Sequence, residues 1–81
     1  MPRTCFIILE GQRDEAGYIP SVVTEGEYGH DPLTGKGECA QPWHWGKTYE
    51  EAQETCVKEN ARLGLGVSDV IAITLSSMRR G

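Results

Sequence analysis

The sequence predicts an α+β fold: a three-stranded antiparallel sheet with one long helix on one face and a short C-terminal helix or strand. Three observations carry this expectation. Cys5 to Leu9 is a continuous apolar run rich in isoleucine and too short for a helix. Tyr18 to Glu25 is a second run with Ile19, Val22, Val23 and Thr24, reached through a polar connection bounded by glycines. Thr48-Tyr49-Glu50-Glu51 has the spacing of a capping box, in which the Thr48 hydroxyl accepts from the Glu51 amide and the Glu51 carboxylate reaches back.

Each element follows from local chemistry. The stretch Gly11 to Gly17 reads as a hairpin connection, so the first two strands are antiparallel. Pro20 lacks a ladder donor and pushes the second strand toward a sheet edge or a bulge. Residues 26–41 hold four of the ten glycines and Pro32 with little apolar content, which predicts a flexible loop, long enough to be a first place to seek a partner site. In Cys39 to Gly46 two tryptophans alternate around His44, so a third strand would point both indoles to one face. The helix from Thr48 to Leu63 carries Tyr49, Ala52, Cys56 and Leu63 on one stripe flanked by Val57, with Glu50, Glu54, Lys58 and Arg62 toward water, and Gly64 ends it. Asn60 falls on the apolar stripe and needs a buried partner or an interface. Val67, Val70, Ile71, Leu75 and Met78 recur at helical spacing behind a Ser68 cap, while Ile71, Ile73 and Leu75 also fit a strand; helix is preferred.

Composition sets the class. Residues 1–81 make one small domain, because a chain this short buries only about 60% of the surface its unfolded form exposes. Eight Lys and Arg against twelve Asp and Glu leave a net charge of −4, without the basic footprint that phosphate backbones require. No apolar run approaches the roughly 20 residues of a membrane span, and the N-terminal stretch lacks a small-residue cleavage site, so the expected compartment is the cytoplasm. Three cysteines at scattered spacings fit reduced thiols better than a disulfide framework.

The β-β-β-α order and the residues Gly46-Lys47-Thr48-Tyr49-Glu50-Glu51-Ala52 at the helix start resemble the antitoxin-like domain of the HicB family. In that family two strands joined by an acidic hairpin, here Phe6 to Leu9 and Tyr18 to Val23, precede a third strand and a Gly-x-Thr-x-x-Glu-Ala helix start. The resemblance spans residues 4 to 63, and it implies an interaction domain with a toxin as protein partner and operator binding. The chain also looks like small proteins encoded by actinobacterial phages, a similarity that implies no function.

Candidate chemistry is sparse. Cys39, His44 and His30 lie in one region, but no close ligand pair such as Cys-x-x-Cys exists, so neither metal nor cofactor is expected. A cysteine nucleophile paired with His30 or His44 would need a lowered thiol pKa and a shielding pocket, for which a chain of this size leaves little room; no enzymatic activity is expected. Trp43 and Trp45 either roof the core or form an exposed aromatic patch beside Pro42. The sequence reading therefore places a protein partner on Tyr28, His30, Trp43, His44 and Trp45, in a non-enzymatic interaction module that hides its uncovered sheet face as a homodimer. The alternatives are a nucleic-acid-binding accessory protein using the tryptophans with Arg79 and Arg80, and a small metal-binding protein.

Overall fold

A computed structural model describes residues 2–27, 31–32 (backbone only) and 44–78. Strands β1 (Thr4–Ile7), β2 (Arg13–Asp14), β3 (Gly17–Tyr18), β4 (Ser21–Thr24) and β5 (Asp31–Pro32) precede helices α1 (Tyr49–Arg62) and α2 (Val67–Met78). The fold is α+β, but its strands divide between two small antiparallel sheets and are not the three expected to form one sheet. β1 pairs antiparallel with β4, from Thr4 opposite Thr24 to Ile7 opposite Ser21, and β2 pairs with β3 as a separate two-residue ribbon. Of the expected third strand, Cys39 to Gly46, only residues 44–46 are described, and they add one bridge, Gly46 to Tyr18. Instead Asp31 and Pro32, inside the segment read as loop, pair along Val22 and Ser21.

Pro20 explains why the predicted second strand divides. It is fully buried and has no amide to donate, so the run breaks into β3 and β4 around it. β4 carries β1 on one side and β5 on the other, so it is central and not the edge that Pro20 suggested.

The capping box forms as the spacing requires. Thr48 Oγ1 accepts from the Glu51 amide at 3.1 Å, and Glu51 Oε1 accepts from the Thr48 amide at 3.1 Å. At the other end Gly64 adopts φ +80°, its amide donates to Ala61 and the Leu65 amide donates to Asn60, which is the Schellman closure that glycine permits. α2 then departs with a bend of 97°. Its N-terminus is closed by Asp69, whose Oδ2 accepts from the Gly66 amide at 3.0 Å, and not by Ser68.

Two apolar clusters hold these elements. Cys5, Ile7 and Val23 alternate onto one sheet face and meet Ile73 of α2, with Leu9, Leu65 and Val70 around them. Ile8, Tyr18, Trp45, Ala52 and Cys56 form the other, with Phe6 set edge-on to the Trp45 indole at 5.2 Å. The helix covering the sheet face is thus α2, whereas α1 runs along the outer edge of β1. The ladder shows why. Arg3 accepts from the Glu25 amide, so odd-numbered residues of β1 bond to β4 and even-numbered ones turn their backbone groups outward. The outward amide of Phe6 donates to Asn60 Oδ1 at 2.8 Å, and Asn60 Nδ2 donates to the Phe6 carbonyl at 2.9 Å. One buried asparagine side chain replaces a neighbouring strand, which is the partner the sequence reading required for it.

α1 buries the middle of its expected stripe but not its ends, and α2 presents a face other than the one its apolar spacing suggested. In α1 the buried residues are Ala52, Cys56, Glu59 and Asn60, while Val57 and Leu63 are more than half exposed and Tyr49 is 37% exposed. In α2 the buried residues are Ile73 and Ser77, and Val67, Ile71, Leu75 and Met78 are all more than half exposed. Polar anchors set this rotation. Arg3 bridges Asp69 at 3.0 Å and Glu25 at 2.8 Å, and Ser76 Oγ accepts from the Gly26 amide at 3.0 Å. The Thr74 and Ser77 hydroxyls donate to the carbonyls of Val70 and Thr74, so they face the sheet without leaving a donor unmet.

Candidate functional site

The residues singled out in the sequence do not converge on one surface. Tyr28, His30 and Trp43 lie outside the described residues, as do Cys39, Arg79 and Arg80. Trp45 is 5% exposed and belongs to the core, so its indole is unavailable as a surface anchor. Its backbone is held by Tyr18 and by the Thr55 hydroxyl, which donates to the Trp45 carbonyl at 3.0 Å. Glycine is needed at both positions beneath it: a Cβ on Gly46 would lie 2.5 Å from the Ala52 nitrogen, and one on Gly17, at φ +145°, would lie 2.5 Å from the Gly46 oxygen. Of the two predicted site residues that are described, His44 is the partly exposed one. Its Nε2 lies 2.9 Å from Asp14 Oδ2, and hydrogen bonds from His44 and from the Ala16 amide hold the Asp14 carboxyl below the usual carboxylate range. Arg13 stacks over the Tyr18 ring, which meets Tyr49 edge-on at 5.8 Å.

The two described thiols, Cys5 and Cys56, are poor nucleophiles. Burial, with Cys5 nearby, pushes the Cys56 thiol up to about 12, and burial raises Cys5 as well. Both therefore remain protonated near neutral pH, the opposite of the activated thiolate that catalysis needs. Among the described residues no cluster of three or more His, Cys, Asp or Glu side chains is placed to hold a metal ion.

A different surface emerges where α1 and α2 diverge. Between them, floored by Phe6 to Leu9 at the end of β1, lies an open groove of about 330 Å³. Val57, Leu65, Val67 and Ile71 line its walls. Its polar lining residues are already engaged: Asn60 grips Phe6, Gln53 donates to the Tyr49 hydroxyl at 2.8 Å, and Thr74 bonds within its helix. The groove thus offers apolar contact with few directional polar anchors. It continues onto the outer face of α2, where Val67, Ile71, Leu75 and Met78 stand at 54–63% exposure. The signal for this surface was present in the sequence, since α2 has six large apolar residues but only one charge in twelve positions, more than a single buried stripe uses.

Comparisons of the chain with protein-family models, with curated proteins and with solved structures find no match. No single helix among the described residues is long and apolar enough to cross a membrane.

Proposed function

We propose that this chain is a non-enzymatic protein-interaction module whose docking surface is the groove between α1 and α2 together with the outer face of α2. The observation that carries the reading is the run of apolar side chains, each more than half exposed, on a chain small enough that its core needs such residues. A pocket built for a small polar substrate would aim several free polar groups inward, and this groove does not. Electrostatics supports a polypeptide over a nucleic acid, because Arg3 and Arg62 are paired with carboxylates and Arg13 lies over Tyr18. An antitoxin-like role, with a toxin as the bound polypeptide, is the form of this reading that the strand-strand-helix resemblance favours.

The test is affinity capture from a native host lysate by the parent chain and by Leu75→Asp, with washes at rising salt and with nuclease. The expected result is a protein that the parent retains at high salt and the variant does not, because apolar contacts survive salt while phosphate contacts weaken steeply. Retention that nuclease abolishes, or that Leu75→Asp leaves unchanged, refutes the reading.

A further inference from the structure

Resting on that interaction reading, we infer that the apolar face of α2 binds a second copy of this chain, with the two α2 helices antiparallel and the two-fold axis passing beside Ile71. Spacing points to this geometry. Val67, Ile71 and Leu75 stand four residues apart, so their side chains rise along one face at intervals of about 6 Å. Reversing a second helix about Ile71 sets Val67 against Leu75 of the other copy and repeats the contact symmetrically, as an isologous interface demands. Met78 of the other copy then falls about one turn before Ile71's own stripe begins, beside Leu63 and the Val57 side of the groove. The exposed stripe and the groove are two halves of one self-complementary surface.

Area and charge agree with that occupant. The six exposed side chains Val57, Leu63, Val67, Ile71, Leu75 and Met78 leave roughly 600 Å² bare, most of the ~800 Å² that each partner buries in a stable complex. A chain of net charge −4 repels its own copy unless the contact avoids carboxylates. α2 carries a single acidic residue, Asp69, and the Arg3 guanidinium, shared with Glu25, is paired with it. Ser68 and Ala72 flank the stripe as exposed small residues, so two helix axes can approach to the ~8–10 Å of ordinary helix packing.

The test is the mass of the purified chain by sedimentation and light scattering across a wide concentration range. The expected mass is twice 8.9 kDa, falling to 8.9 kDa in Ile71→Asp with an unchanged circular dichroism spectrum. The substitution places two carboxylates across the axis and should weaken dimerisation roughly a thousandfold. With Cys39 replaced by serine, mild oxidation should link Ile71→Cys chains to each other and leave Leu63→Cys chains unlinked, because residue 71 lies at the axis and residue 63 far from it. An 8.9 kDa species at every concentration, a dimer that survives Ile71→Asp, or equal linking at residue 63 overturns the proposal. A monomer whose captured protein is still lost on Leu75→Asp overturns self-association and leaves the interaction reading standing. A monomer that captures no protein and sediments with phosphatidylcholine vesicles overturns both.

Discussion

Replacing Asn60 by leucine removes the side chain that closes the outer edge of β1. The Phe6 amide loses its 2.8 Å acceptor, and a buried donor left unmet costs about 1–3 kcal/mol. The Phe6 carbonyl loses Asn60 Nδ2 but keeps the Cys56 thiol at 3.1 Å, so its share is smaller, about 0.5–1.5 kcal/mol. The total, about 1.5–4.5 kcal/mol, is a large part of the ~4–12 kcal/mol that stabilises a domain of this length. Calorimetric or circular dichroism melting should place Asn60→Leu at least ~6 °C below the parent. Lys58→Leu, at an exposed position on the same helix, should melt close to it. Asn60→Asp adds a check with a sign. Its carboxylate would turn an oxygen on the Phe6 carbonyl, whereas its protonated form restores a donor, so its folded pKa rises above the unfolded value of about 3.9. The deficit of this variant should therefore be small below pH ~4 and grow as pH rises through the folded value. If Asn60→Leu melts within about 2 °C of the parent, the asparagine does not close the edge and the account of why α1 lies there fails.

Three further outcomes are expected. Thr48→Ala should cost about 1 kcal/mol, and Gly46→Ala more, about 2 kcal/mol, because its Cβ meets backbone while the cap is merely lost; melting that reverses this order contradicts the close approach. Asp14 and Glu25 are held below the usual carboxylate range by His44 and Arg3, so their ion pairs contribute above the unfolded values near pH 4 and are lost as pH falls through the folded values. Melting followed down a pH series should show this loss, flattened in Asp14→Asn/Glu25→Gln, and an equal slope in that variant would count against it. Alkylation at pH 8 followed by peptide mapping should label Cys56 only after unfolding, since its thiol is pushed up to about 12, and labelling of the native chain would overturn that assignment.

What the sequence determines here is chemistry confined to a few neighbouring residues. The capping box at Thr48, the glycine stop at Gly64 and the strand character of Cys5 to Leu9 are all recognisable without a third dimension, because each hydrogen bond or steric preference acts within five residues. The need of Asn60 for a partner was legible too, since burying an amide demands one, but the sequence could not say that the partner is the outward edge of Phe6, 54 residues away along the chain. The break at Pro20 and the reach of Asp31 and Pro32 onto β4 depended likewise on which backbone groups were left unpaired once β1 and β4 had met.

Only the tertiary structure decided which face of α2 is inside. Apolar residues occupy more of α2 than one stripe, so periodicity left its rotation open, and the contacts of Arg3 with Asp69 and of Gly26 with Ser76 set it. Ser77 and Thr74 face the sheet because their hydroxyls bond to their own helix, and their small volume admits close approach where Leu75 and Met78 would not fit. The same rotation turns Ile71 and its neighbours outward. A side chain's hydrophobicity is a property of the residue, but whether it is buried depends on which face the remaining contacts leave free.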